Sequence, residues 1–361
     1  MRLHPAAPKS AALTAALAAA ATLLVTGPLA GAVPTVDDGT STAAGSSPDP
    51  GPASPDDAVD QVIAISVDAL NPKALRRLGP SGAPHLHALI DEGASTLNAR
   101  TEVERTVTLP NHTGMVTGRR INKSRGGHGV TWNDDRRRPA TVQAAAGEDV
   151  ESVFGVVHDA RGTTALFASK TKFSLWERSW GADIDHTLIN LRNGALVDAL
   201  QQDVLDGRRT FRFLHLSMPD DVGHARGFMS PAYLRAVRRV DTLVGEVVGT
   251  VDDDPSLAAT TAIVLTSDHG GRGSDHSDAR RPANYRVPFV VRGPGVDAGG
   301  DLYELNRDYA DPGRARVSYA GDRQPVRNGD LANLSLDLLD LPSVPDSEHN
   351  VAQDLDVTAR P

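Results

Sequence analysis

The chain contains no cysteine, so no disulfide staples it and no lipidated cysteine tethers it. Such a protein rests on its core and, given suitable ligands, on bound metal. Aromatic residues are scarce, at 4% of the sequence, which leaves no obvious platform for stacking a nucleobase. Trp132 and Trp176 are the residues to test for that role. Positive charge is in deficit, with 37 Lys and Arg against 46 Asp and Glu and a formal charge of -9. Loss of Arg2 and Lys9 with the leader described next takes that charge to about -11. Such acidity argues against non-specific nucleic-acid binding, which relies on clustered Lys and Arg. It leaves a phosphate substrate open, because bound divalent cations reverse the local field.

Near the N-terminus, Arg2 and Lys9 precede the apolar stretch Ala11–Val25 and then Ala30-Gly31-Ala32. This order predicts a signal peptide over residues 1–32, cleaved after Ala32, and a secreted protein. The apolar stretch is Ala-rich and short for a membrane span, so no stable membrane anchor is expected. Residues 33–58 are rich in Pro, Gly, Ser, Thr and Asp and read as a disordered linker. A single α/β catalytic domain over 59–346 and a C-terminal tail over 347–361 complete the expected organisation.

Three apolar, strand-like runs each end in an aspartate. Gln61–Val67 leads into Asp68, Phe211–Ser217 into Met218-Pro219-Asp220, and Thr261–Ser267 into Asp268-His269-Gly270. Near-continuous apolar strands belong to sheets covered by helices on both faces. In open α/β sheets ligands bind beyond the carboxyl ends of the strands. A lone Asp68 could simply cap the next helix. The second aspartate, however, has His224 four residues on, with Gly223 expected to ease a bend, and the third has His269 beside it and His276 shortly after.

Carboxylates and imidazoles delivered to one crevice suit divalent metal: zinc takes both ligand types, and manganese or iron is chemically acceptable. Six such side chains exceed the needs of one four-coordinate catalytic ion, whereas two ions roughly 3.5–4 Å apart would use them. His215 lies inside its strand and reads as a packed core histidine. For a nucleophile, Val107-Thr108-Leu109-Pro110-Asn111-His112 offers Thr108 at a helix start, where free N–H groups bind anions. The alternative is that Thr108 only caps that helix. Further helices are expected over Pro84–Ile90 with a stop at Gly93, over Pro231–Val248 and over Leu331–Leu341. Residues 163–180 hold two Trp and two Lys and could form part of a substrate rim.

These residues resemble the alkaline phosphatase superfamily, particularly its nucleotide pyrophosphatase/phosphodiesterase branch and, at the closing helix, sulfatase-like relatives. Thr108-Leu-Pro-Asn-His-Thr-Gly-Met-Val-Thr-Gly118 is similar to the nucleophile motif, in which Thr attacks phosphorus. Pro219-Asp-Asp-Val-Gly-His224 and Ser267-Asp-His-Gly270 are similar to the two later metal motifs. The resemblance implies a three-layer α/β/α sandwich with a mostly parallel sheet, and two divalent ions, zinc first among them. By motif, Asp68, Thr108, Asp268 and His269 would hold one ion, and Asp220, His224 and His276 the other. His349 competes with His276, because the branch places that histidine much farther downstream. Asn133, in His128-Gly-Val-Thr-Trp-Asn133, would contact a phosphoryl oxygen, and Lys170 and Lys172 are candidates for substrate phosphate or a solvated rim.

The implied activity is hydrolysis of phosphodiester or pyrophosphate bonds in a small-molecule or polymer substrate. Phosphomonoesterase and sulfatase-like activities are alternatives. Thr108 stands where a sulfatase has the Cys or Ser that becomes formylglycine, which disfavours the latter. A pseudoenzyme that holds metal or a phosphorylated polymer without turnover is a further class.

Overall fold

The computed structural model describes residues 58–207 and 209–358; the expected leader and nearly all of the linker lie outside them. Seven strands form one sheet: β1 (Gln61–Val67), β2 (Ala94–Arg100), β3 (Thr164–Ala168), β4 (His186–Ile189), β5 (Phe211–Leu216), β6 (Thr261–Thr266) and β7 (Arg286–Arg292). Their spatial order is β2-β7-β6-β1-β5-β3-β4. β1 runs parallel to both its neighbours, β5 and β6, and Ser66 stands beside His215 on one side and Thr266 on the other. β3 is parallel to β4 and β5, whereas β7 is antiparallel to β2 and β6.

Every residue of β1 is buried. Its side chains alternate between two cores, as a strand's period of two requires. Val62 and Ala64 join Leu109, Met115, Phe154 and Leu334 on one face. Ile63, Ile65 and Val67 join Leu75, Leu200, Val237 and Val244 on the other. Full burial of each such aliphatic side chain contributes about 1.5–3 kcal/mol. Helices therefore cover both faces, and the expected α/β/α architecture is borne out.

The long helix spans Pro231–Asp252, passing the expected end at Val248; Ser230 caps it by accepting from the Tyr233 N–H. The closing helix is Leu331–Leu338. Among the described residues, no helix is long and apolar enough to cross a membrane.

Several expectations need correction. The helix Pro84–Asp91 is present, but Gly93 is not a left-handed stop: a Cβ there would lie 2.1 Å from the Val291 carbonyl oxygen, so close approach to β7 is what excludes a side chain. Gly223 eases no bend, because it lies inside the helix Met218–Arg226; a Cβ there would meet the Phe228 ring at 2.1 Å. Trp176 and Trp180 form no rim; both are buried, and Trp176 packs edge-on against Phe173 and Phe213. Burial also removes Trp176 as a stacking platform. Residues after Asp346 pack onto the domain as far as they are described: Leu355 and Val357 join the core, and the His349 N–H donates to the Gly118 carbonyl.

Candidate active site

β6, β1 and β5 lie side by side, so their carboxyl ends open onto one place. Asp68 directly follows β1 and is fully buried. The next residue, Ala69, turns the chain with φ 61, a left-handed conformation that L residues avoid. Its N–H donates to Asp268 Oδ1 at 3.1 Å and its carbonyl accepts from the Tyr233 hydroxyl at 2.6 Å. Those bonds hold the turn that aims Asp68.

Asp268 Oδ1 also accepts from the His269 N–H at 3.0 Å, while Oδ2 lies 3.1 Å from His269 Nε2. His269 Nδ1 faces the Gly270 carbonyl at 2.8 Å, which places the ring proton there and leaves Nε2 a bare lone pair. Asp220 opens the helix Met218–Arg226, and His224 follows one turn later on the same face. Asp220 Oδ1 lies 3.4 Å from His224 Nε2 and 3.6 Å from His276 Nε2. Donor atoms of Asp220, His224 and His276 all lie within 4.8 Å of one another, as do those of Asp68, Asp220 and His269. Asp220 thus reaches both groups, where the sequence assigned it to one.

His276, for which His349 was the competing candidate, lies with Asp220 and His224. The loop carrying it is tied down because His276 Nδ1 donates to the Thr106 carbonyl at 2.6 Å and the Thr106 hydroxyl donates to the His276 carbonyl. His276 also stacks on His269 with ring centroids 3.6 Å apart. His349 is elsewhere, its Nε2 3.0 Å from the buried Glu102.

Thr108 begins the helix Thr108–Thr117, which ends at left-handed Gly118. Its hydroxyl makes no capping bond and has no partner, although the residue is only 1% exposed. The capping alternative therefore does not describe this threonine. The Leu109 N–H donates to Asn133 Oδ1 at 2.9 Å, and Lys172 Nζ lies 3.1 Å from the same oxygen.

Three supporting residues escaped or exceeded the sequence reading. Lys170 Nζ bridges Asp68 Oδ2 and Asp220 Oδ2, each at 2.6 Å. His215 is buried as expected but does more than fill space. The Ser169 N–H points at its Nδ1, so Nε2 carries the proton and donates to Asp68 Oδ2 at 3.1 Å. His112, not singled out, donates from Nδ1 to the Thr108 carbonyl at 2.8 Å, and its Nε2 meets the Ser66 hydroxyl at 2.7 Å.

Three carboxylates share this buried spot. Burial, then the charges of Asp68 and Asp220, push the Asp268 carboxyl well up; burial and Asp68 raise Asp220. Burial opposes ionisation of Asp68 too, yet Lys170 and His215 hold its carboxyl well below the usual range. Burial depresses His269, His276 and His112, keeping the rings neutral and fit to bind cations or accept protons. Burial and the Lys170 charge lower Lys172.

Residues 62–285 match the family described as type I phosphodiesterase / nucleotide pyrophosphatase. GPI ethanolamine phosphate transferase 1 of Gibberella zeae is 33% identical over 145 residues, 39% of this chain and 13% of that protein. The human protein of the same name is 24% identical over 259 residues, 65% of this chain and 26% of that protein. This chain thus spans about a quarter or less of the length of these curated relatives. Murine ectonucleotide pyrophosphatase / phosphodiesterase 5 shares the fold with a TM-score of 0.61, covering 83% of this chain and 100% of that one at 15% identity. Its inactive threonine-to-alanine variant, in complex with AMP, superposes with a TM-score of 0.59 over 82% of this chain and 99% of that one, at 16% identity. The matched stretch runs from β1 through Thr108, Asp220, His224, Asp268 and His269 to His276, and the chain belongs to the type I phosphodiesterase / nucleotide pyrophosphatase family.

Proposed function

We propose that this protein hydrolyses phosphoric esters, phosphodiester or pyrophosphate bonds first among them, with Thr108 as nucleophile and two divalent cations as cofactors. The observation that carries this proposal is a cluster of buried polar atoms without partners: Asp68 Oδ1, Thr108 Oγ1, Asp220 Oδ1, Asp268 Oδ2 and His269 Nε2. Buried polar atoms are almost always hydrogen-bonded, and acceptors left bare together fit a cation. Oxygen and imidazole donors suit zinc. Asp68, Thr108, Asp268 and His269 would hold one ion; Asp220, His224 and His276 the other. Bound there, the ions would supply positive charge to the transferring phosphoryl group and lower the pKa of the threonine hydroxyl.

The chain's own residues account for the rest. Thr108 Oγ, its hydroxyl proton released to solvent, attacks phosphorus in line, its bond to phosphorus forming as the bond to the leaving oxygen breaks, and the leaving group departs with the electron pair and takes up a proton from solvent. The Leu109 N–H and the Lys172 ammonium, which now share Asn133 Oδ1 as acceptor, are placed to receive phosphoryl oxygens. Asn133 Nδ2, without a partner among the described residues, adds a third donor. His112 holds the Thr108 carbonyl and so fixes the first turn that presents the hydroxyl. Water then attacks the phosphothreonine, the Thr108 oxygen leaves phosphorus and regains a proton, and the product is released.

Discharge of the same intermediate to an alcohol rather than water is a second reading, favoured by curated relatives that are named as phosphate transferases. Assays with bis(p-nitrophenyl) phosphate, an aryl phosphomonoester and an aryl sulfate, each with and without chelator and added alcohol, separate the possibilities. Chelator-sensitive diester turnover that disappears in Thr108→Ala supports the proposal. Full activity of that variant overturns the role of Thr108, and absence of turnover on all three substrates supports a metal-holding pseudoenzyme. Export through the leader at 1–32 belongs to the same proposal, and N-terminal sequencing of protein from the culture medium tests it.

A further inference from the structure

The chain is acidic overall, yet its charge reverses beside Thr108. Residues 119–138 hold seven Lys and Arg against two Asp. Part of this segment walls a cavity of about 500 Å³, its lining including Arg105, Lys123, Thr131, Arg136 and Trp132, the chain neighbour of Asn133. Arg105 lies three residues before Thr108, and its carbonyl accepts from Asn111 of the Thr108–Thr117 helix at 2.8 Å. The cavity and the nucleophile are therefore built from adjoining stretches of chain.

The cavity wall has two parts. Ile121, Trp132, Pro139 and Ala145 make it partly apolar, and Trp132 is 7% exposed. Its one acid, Glu104, is neutralised by Arg120 at 2.9 Å and takes the Tyr319 hydroxyl at 2.8 Å. Arg136 is paired with Asp134 at 2.7 Å. Arg105 and Lys123 have no carboxylate within ion-pair distance among the described residues. Two unopposed cations thus face a partly apolar cavity. In a globally acidic protein they repel no anionic ligand, and they attract one locally.

In-line attack fixes which part of a substrate meets this cavity. The leaving group departs along the axis opposite Thr108, whereas the substituents that stay on phosphorus spread around that axis. The cavity continues from Trp132, next to Asn133, on the side of the oxygens that the Asn133 segment would meet, and so receives the retained ester substituent. We propose that the preferred substrate is a phosphodiester whose retained substituent carries a further anionic group, carboxylate or phosphate, bound by Arg105 and Lys123. This inference rests on the phosphodiester reading above.

The test uses p-nitrophenyl diesters that share one leaving group. Their second substituent is phenyl, 4-carboxyphenyl or 4-phosphonatophenyl. The expected result is kcat/KM at least about tenfold higher for the anionic diesters at low salt, with the preference shrinking as salt screens the exposed cations. Arg105→Gln/Lys123→Gln should bring the ratio close to one through loss on the anionic substrates, and a near-wild-type Tm confirms that it folds. The ratio between the carboxylate and phosphonate congeners tells which anion is favoured. A second readout needs no turnover: in Thr108→Ala, 4-carboxyphenyl phosphate should change tryptophan fluorescence through Trp132, and the double variant should weaken that binding about tenfold. Equal turnover of neutral and anionic diesters overturns this inference and leaves the diester reading standing. Turnover of none of the three overturns both.

Discussion

His224 Nε2 and His276 Nε2 face each other across 2.9 Å, although Nδ1 of each ring is turned to a main-chain carbonyl. With both Nδ1 atoms donating, two lone pairs confront each other beside Asp220 Oδ1. A cation relieves that repulsion. Metal analysis of His276→Ala should therefore show about one divalent ion fewer per chain than wild type. His349→Gln should keep the full complement, since that ring is bound to Glu102. Equal metal loss in both variants would remove His276 from the ligand set.

Asn133 is predicted to act on the transition state rather than on substrate capture. Removal of one donor to a developing oxyanion lowers kcat about 10²–10³-fold. Asn133→Ala should show a loss of this order in kcat, with KM changed far less, in steady-state assays of a phosphodiester. A change confined to KM would assign it to ground-state binding.

Lys170 sits between two carboxylates and should matter most when metal is absent. Lys170→Met leaves Asp68 and Asp220 buried without their counter-charge. Breaking a buried charge cluster in this way costs about 3–5 kcal/mol. Urea unfolding of chelator-treated protein should show a loss of that size, and added zinc should narrow the gap between variant and wild type. A variant as stable as wild type without metal would deny the lysine this role.

Glu102 and His349 give a pH signature separate from the cluster of Asp68, Asp220 and Asp268. Burial disfavours both charges, but Glu102 raises the His349 pKa and His349 lowers that of Glu102. A raised histidine stabilises fully below its unfolded pKa of about 6.5, and that stabilisation is lost as pH rises through the folded value. The depressed carboxylate stabilises above its unfolded value of about 4.3, and that contribution is lost as pH falls through the folded one. The stability gap between wild type and His349→Gln should thus be widest near about pH 5–6 and smaller near about pH 9. Thermal melts across that range check it, and a gap that widens towards alkaline pH would contradict the pairing.

Legibility in the sequence followed the range of the forces involved. Asp68, Asp220, Asp268 and His269 could be found because each follows a buried strand within a few residues, at the turn or in the first turn of the helix after it, a pattern local in sequence. His276 was harder, since its place is fixed by a main-chain contact with Thr106, 170 residues away. His215 looked like core because only folding brings Asp68 to it across 147 positions. Composition likewise gave no hint that Trp176 would be enclosed by Phe173 and Phe213. Lys170 was noticed as a phosphate contact, but its bridge between two strand ends requires knowing that β5 neighbours β1.

That adjacency of β6, β1 and β5 makes the sheet a ruler. Neighbouring strands repeat at about 4.8 Å, a pitch set by main-chain hydrogen bonds and indifferent to side-chain identity. Asp68 and Asp268, just past the ends of β1 and β6, inherit their separation from it, and Asp220 joins them from the first turn of the helix after β5. Asn133 and the walls of the cationic cavity hang instead on the excursion between β2 and β3, outside that lattice. Thr108 hangs on the same excursion, so sequence drift in the cavity walls can retune which ester enters only where it leaves the first turn of the Thr108–Thr117 helix and Asn133 in place, while the strand ends keep Asp68 and Asp268 at a fixed spacing.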